Sequence, residues 1–219
     1  MGMELGVQEY PQSLELQREI VLKRKRNEIP DCLLFVEYPP TVTLGRSGKI
    51  EHLLAAPLEL EKRGVSFHLT ERGGDITYHG PGQMIAYPVL DLRSFRQDLD
   101  WYLRRLEECL IGTLADFGIS SHRVAGATGV WVGDEKIAAI GVRASRWVTS
   151  HGVALNVNPE LDGFNLIVPC GISKGVTSMA RILGEQAPQL ERVKASFCEH
   201  FGRIFRRPVL KEPSERFIG

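Results

Sequence analysis

The chain has 219 residues, 43% of them hydrophobic, with 27 Lys and Arg balanced by 27 Asp and Glu. That length lets one domain bury a sizeable core, so a single domain over 1–219 is expected, and the zero net charge without a basic stripe excludes a nucleic-acid-binding class. Cys32, Cys109, Cys170 and Cys198 show neither a C-x-x-C pair nor a His at metal-ligand spacing, which excludes a disulfide framework and a zinc site.

Residues 1–7 contain an acid and no apolar stretch, Gly6 stands where a myristoylation signal needs Ser or Thr, and no apolar run approaches a membrane span. A cytosolic protein, off the membrane, is expected. A first helix is predicted over 11–28, with Leu14, Leu16, Ile20 and Val21 near one side and Lys23-Arg24-Lys25-Arg26 as a solvated, dipole-complementing end. Pro30 and Asp31 break it, and strands follow over 32–38 and 41–44. The loop Gly45-Arg46-Ser47-Gly48-Lys49 is not a phosphate-binding loop, because Thr43 stands where that pattern needs its first Gly.

A short helix over 57–63 and a strand over 65–70 deliver the chain into Arg72-Gly73-Gly74-Asp75-Ile76-Thr77-Tyr78-His79-Gly80-Pro81-Gly82-Gln83. Four glycines and a proline among donors and acceptors describe a backbone built for close approach to a ligand, or a long hairpin loop. Residues 84–92 read as a central strand. Residues 98–117 form the clearest helix, with Leu99, Leu103, Leu106, Leu110, Leu114 and Phe117 at spacings of three and four, closed by Gly118. Strands over 129–132, 136–144 and 147–157 make a meander, with Gly133-Asp134 as a two-residue turn, and a last helix carries Leu190, Val193, Phe197, Phe201 and Ile204. Cys109 and Cys198 sit beside helical apolar stripes as buried structural thiols. This order gives an α+β fold, a mixed sheet with packed helices, rather than a doubly wound one.

Cys170 differs from the other cysteines. Pro169 and Gly171 carry it on a loop, and a nucleophilic thiolate there needs a cation or a His nearby. Lys136, His79 and His151 are the candidates, each with an ordinary structural alternative.

Four blocks carry a resemblance. Arg72-Gly73-Gly74-x-x-Thr77-Tyr78-His79-Gly80-Pro81-Gly82-Gln83, Gly129-Val130-Trp131 with Glu135-Lys136-Ile137-Ala138, His151-Gly152-x-Ala154-Leu155-Asn156, and Pro169-Cys170-Gly171-Ile172 with Val176-Thr177-Ser178 closely resemble the lipoyl(octanoyl) transferase family. The resemblance implies the α/β two-layer catalytic domain shared with biotin and lipoate protein ligases. It also implies an acyltransferase that takes octanoyl from octanoyl-acyl carrier protein. The acceptor is a lysine on lipoyl domain proteins, namely 2-oxoacid dehydrogenase E2 subunits and the glycine cleavage H protein. Cys170 takes the nucleophile position and Lys136 its proton-transfer partner. The acyl-binding segments fall on Arg72, Gly73, Gly74, Asp75, Ile76, Thr77, Tyr78 and His79, on Ala139, Ile140 and Gly141, and on Gly152, Val153 and Ala154, with His151 as support. Asp75 and Ile76 lie where the family varies.

The chemistry agrees with that assignment. Exchanging one thioester for another keeps the acyl group activated for attack by an amine, so no ATP, cofactor or metal is expected. Apolar residues such as Ile140, Val142, Val153 and Leu155 could wall an acyl slot in which seven methylene-type carbons contribute about 5 kcal/mol. Backbone N–H groups near Gly73, Gly74 or Gly171 are candidates for the oxyanion site. The competing readings are an ATP-dependent lipoate-protein ligase, a non-catalytic binding module for acyl carrier protein, and a cysteine hydrolase built on a Cys–His pair. Without a heptad or repeat, a monomer is expected.

Overall fold

The computed structural model of the chain describes residues 1–168 and 175–210. Its strands are β1 (Gly2–Val7), β2 (Cys32–Glu37), β3 (Thr41–Leu44), β4 (Ser66–Leu69), β5 (Ile76–His79), β6 (Gln83–Val89), β7 (His122–Val124), β8 (Ala127–Val132), β9 (Glu135–Ser145) and β10 (Val148–Asn156). The helices are α1 (Tyr10–Lys25), α2 (Pro57–Lys62), α3 (Leu99–Asp116), α4 (Met179–Leu183) and α5 (Leu190–Ile204). Among these residues the strands form a seven-stranded sheet, ordered β1-β2-β6-β10-β9-β8-β7, and a three-stranded sheet, ordered β4-β3-β5. β1 runs parallel to β2 and β4 parallel to β3, while the other pairs are antiparallel, so the sheets are mixed and helices pack on them as expected.

Period-two alternation divides the large sheet into two buried faces. Leu33 and Phe35 of β2 and Met84 and Ala86 of β6 face α3 and α5, where Leu106, Leu110, Leu114, Val193 and Phe197 close the core. Their neighbours Leu34, Val36, Ile85 and Tyr87 face α1 on the other side. α3 starts where the Asp98 carboxylate accepts from the Trp101 N–H and stops at Gly118, whose φ of +74° suits glycine. Of its expected stripe, Leu99 at the first turn is exposed, and the rest packs on or against the core. Cys109 is buried there, whereas Cys198 is half-buried.

α1 differs from its sequence reading. Its inward stripe is Tyr10, Ser13, Gln17, Ile20, Val21 and Arg24, while Leu14 and Leu16 are only half-buried. Polar residues turn inward because each finds a partner: the Ser13 hydroxyl meets the Tyr38 hydroxyl at 2.7 Å, and the Gln17 carbonyl accepts from the His151 N–H at 2.8 Å. Arg24, expected in solvent, is buried against Asp31 at 2.8 Å and Asp91 at 3.6 Å.

β1, β5, β7 and α4 add to the elements read from sequence. The strand expected over 84–92 stops at Val89, and β6 is third in the sheet, beside β10. Pro88 offers no N–H to that pairing, and Thr149 of β10 repairs it: its hydroxyl donates to the Pro88 carbonyl at 2.7 Å and accepts from the Leu90 N–H at 2.9 Å. The Gly133-Asp134 turn joins β8 to β9 as expected, with Gly133 at φ +55°.

Candidate active site

On the α1 side of the sheet, β5, β6, β9 and β10 and the Gly-rich stretch enclose an open cleft with about 820 Å³ of empty space. Arg72, Gly74, Asp75, Thr77, His79, Lys136, Ala139, Ile140, Gly141, His151, Gly152, Val153 and Ala154 line it, so the separated blocks of sequence meet in one place. Ile76 and Tyr78 do not line it. They alternate with Thr77 and His79 along β5 and turn into the core of the small sheet, where Tyr78 meets Phe164 edge-on at 5.4 Å. Gly73 acts through its backbone, its N–H donating to the Val142 carbonyl at 2.9 Å and tying the Gly-rich stretch to β9. Val142 and Leu155, expected on the acyl slot wall, pack with the α3 and α5 core instead.

The polar floor of the cleft is one directional chain of hydrogen bonds. The Arg72 guanidinium donates to the Thr43 hydroxyl at 2.9 Å and to the Thr43 carbonyl at 2.8 Å. That hydroxyl faces Nε2 of His79 at 3.4 Å, and Nδ1 of His79 faces the Gln83 carbonyl oxygen at 3.1 Å. The Gln83 amide donates to the Asn156 Oδ1 at 2.9 Å, and the Asn156 amide donates to the Thr177 carbonyl at 2.9 Å. Because the Gln83 nitrogen already donates, its oxygen must accept, and this fixes His79 as the tautomer protonated on Nδ1. Thr43, Gln83, Asn156 and Thr177 were not among the site residues read from sequence.

Both histidines of the cleft are held uncharged. Burial drives the His79 pKa down to about 3, assisted by the Arg72 guanidinium, and the same two causes bring His151 to about 3. His151 also has a positive φ of +56°, fixed where Gln17 accepts its N–H, and its ring stands 6.0 Å from that of Tyr87.

Lys136, the second residue of β9, lines the cleft. Its Nζ lies 4.7 Å from the centre of the Trp131 ring and 3.4 Å from the Thr128 carbonyl. Its backbone is gripped on both sides: the Lys136 N–H donates to the Gly175 carbonyl at 2.9 Å, and its carbonyl accepts from the Thr177 N–H at 3.0 Å. On the far side of residues 169–174 the Val168 N–H donates to the His52 carbonyl at 2.7 Å, and the His52 ring meets the Asp75 carboxylate at 2.5 Å. Cys170 lies outside the described residues, and the chain on either side of its segment is anchored at the cleft. Among the other thiols, burial raises Cys32 to about 11 and pushes Cys109 up further, which makes both poor nucleophiles. No group of three or more His, Cys, Asp or Glu among the described residues is placed to hold a metal ion, and none of their helices is long and apolar enough to cross a membrane.

The family model of the lipoyl protein ligase A/B catalytic domain matches residues 9–202. An octanoyltransferase of Solibacter usitatus is 52% identical over 202 residues, covering 92% of this chain and 91% of the relative. One of Gloeobacter violaceus is 47% identical, covering 93% and 89%. Among solved structures, a lipoate-protein ligase A bound with ATP superposes with a TM-score of 0.78 at 14% identity over 96% of this chain and 87% of that one. A biotin protein ligase of Aquifex aeolicus gives 0.53 at 12% identity over 94% and 68%. At such identities the solved structures speak for the fold. With the family model spanning most of the sequence and relatives near half identical along nearly all of it, the chain belongs to the lipoyl protein ligase A/B catalytic-domain family, among its octanoyltransferases.

Proposed function

We propose that this single catalytic domain moves an octanoyl group from the thioester of acyl carrier protein, through a thioester on Cys170, to the amine of a specific lysine on a lipoyl domain. The observation that carries the reading is the cleft itself. Ile85, Ala139, Ala154 and Phe164 give it apolar walls for an alkyl chain, and Lys136 lines it too, clamped to the backbone that follows the Cys170 segment. The octanoyltransferase relatives supply the acyl group, and structures such as that of the lipoate protein ligase and its E2 lipoyl domain from Thermoplasma acidophilum supply the acceptor class.

In the first half-reaction the Cys170 thiolate attacks the donor carbonyl, the tetrahedral intermediate collapses, and the carrier's thiol leaves with a proton. In the second the acceptor amine attacks the Cys170 thioester, the C–N bond forms as the C–S bond breaks, and the amine's proton is handed on. A cation must favour the thiolate. The two cleft histidines, uncharged at neutral pH, do not supply one, which disfavours the Cys–His hydrolase, whereas the Lys136 ammonium does and its neutral form takes the proton.

The test is intact mass after incubation with octanoyl-acyl carrier protein, followed by addition of a lipoyl domain without ATP. One octanoyl unit on Cys170, labile to hydroxylamine and then moved to the lipoyl domain, is expected, and Cys170→Ser abolishes both steps. An adduct on Cys32, Cys109 or Cys198 overturns the assignment. Modification that needs free octanoate and ATP makes the chain a ligase, and no adduct or turnover makes it a binding module.

A further inference from the structure

Glu107 is a fully buried carboxylate on α3, remote in sequence from every block of the cleft. Its Oε2 accepts from Nη1 of Arg104 at 2.6 Å and from Nε of Arg123 at 2.8 Å, so the buried carboxyl group is paired with two guanidinium groups. Its Oε1 accepts the Gly129 N–H at 3.2 Å. That N–H belongs to the peptide bond between Thr128 and Gly129, and the carbonyl of the same bond, on Thr128, is the one 3.4 Å from Nζ of Lys136. One peptide unit is therefore bracketed by charge, with a carboxylate at its positive N–H end and an ammonium at its negative C=O end. Each contact polarises the peptide in the direction that strengthens the other.

The local backbone is shaped for this. Gly129 has a φ of +133°, open to glycine and strained for other residues, and a Cβ there would lie 2.6 Å from the Ala138 carbonyl and 3.4 Å from Cε of Lys136. The β8–β9 register shifts between Val130 and Trp131, next to Gly129 in the chain, and the paired positions run from Val130 to Val132.

We infer that Glu107 is a positioning residue for Lys136, holding the Thr128–Gly129 peptide so that its carbonyl aims the Lys136 amine into the cleft. The inference rests on the role given to Lys136 under the proposed function. Glu107 touches no substrate atom and acts through the peptide.

The test combines kinetics with labelling of the amine itself. Glu107→Gln, which leaves the side-chain shape but removes the charge, is expected to lower kcat for octanoyl transfer about ten-fold while KM for donor and acceptor stays within about two-fold. Trace acetylation with acetic anhydride, read by mass spectrometry as the rate at Lys136 relative to Lys23 and Lys62, should change at least about two-fold. Thr113→Val is the control for a merely structural effect, since it removes a buried hydroxyl bond to Cys109 on the same helix without touching β8. It is expected to lower Tm with kcat and Lys136 labelling unchanged. Glu107→Gln that lowers Tm yet leaves kcat and labelling as in the wild type overturns the inference. Should that variant not fold, Arg123→Gln, on the exposed side of the same carboxylate, is measured the same way, and unchanged kcat and labelling there overturn it equally. A wild type with no transfer activity would sink the transferase reading, and the labelling comparison would still decide the role of Glu107.

Discussion

The strands β6, β9 and β10 present two faces that obey different physics. Toward α3 and α5 they offer Met84, Ala86, Ile137, Ala138, Val153 and Leu155, which pack against aromatic and aliphatic helix side chains. Stability there comes from area and close contact. Toward α1 and the Gly-rich stretch, the same strands or their flanks offer Gln83, Asn156, His151 and two glycines, Gly141 and Gly152, paired across β9 and β10. On that face Thr43, His79, Gln83 and Asn156 each depend on a neighbour in the hydrogen-bond chain. The difference teaches which changes each face tolerates: volume-conserving swaps on the first, and almost no loss of a single partner on the second.

Acid separates the faces most strongly. An unfolded histidine takes up its proton below about 6.5, whereas His79 and His151 resist until about 3. Between those values the unfolded chain binds more protons, so stability falls as pH drops through that window. At about 1.4 kcal/mol per pH unit for each, the two histidines together cost of order 5 kcal/mol between about pH 6.5 and about pH 4.5. Urea midpoints across that range read the effect, and the double variant His79→Gln, His151→Gln should show a much flatter slope. An equal slope in that variant would place the acid sensitivity elsewhere. On the other face Phe197→Ala, which empties a fully buried site beside Phe35, is expected to cost about 3–5 kcal/mol at any pH while KM for the acyl donor stays unchanged. A raised KM there would mean that the two faces are coupled.

The apolar face was the more legible in sequence, because burial leaves a period. The spacing of Leu106, Leu110 and Leu114 marked the α3 stripe, and the run beginning at Met84 marked β6. The polar face left weaker traces. β5 alternates Ile76 and Tyr78 inward with Thr77 and His79 toward the cleft, yet it is four residues long between glycine pairs and reads as loop. β1 carries two glycines and a glutamate and becomes a strand through its parallel pairing to β2, a partner some thirty residues away. On α1 the periodic leucines drew the eye, while Ser13, Gln17 and Arg24 are buried for partners that only folding brings near. The Gln83–Asn156 contact crosses 73 residues, and nothing in either local sequence announces it. Motif resemblance recovered the cleft-lining blocks where periodicity had nothing to say.

The two paired glycines give the finest test of the comparison, because they sit side by side and contest different space. A Cβ on Gly141 would lie 2.9 Å from the Gly73 carbonyl and 3.0 Å from Cδ of Arg72, so it presses on the Gly-rich stretch over the cleft. A Cβ on Gly152 would run into the Ala86 carbonyl and Pro88, within the sheet itself. Gly152→Ala should therefore cost about 1–3 kcal/mol of stability, since a central strand cannot step aside without breaking its ladder. Gly141→Ala should cost less than Gly152→Ala, because its Cβ presses less closely on backbone, although the Gly73 carbonyl it meets belongs to a stretch tied to β9 by the Gly73–Val142 bond. The displacement reaches Arg72, and with it the start of the hydrogen-bond chain, so KM for the acyl donor should rise several-fold with a smaller fall in Tm than Gly152→Ala gives. Thermal melts and donor titrations on the two variants separate the effects. If Gly141→Ala instead lowered Tm as far as Gly152→Ala and left KM alone, the Gly-rich stretch would be part of the rigid core, and the cleft would lack the independence from the sheet that its glycines imply.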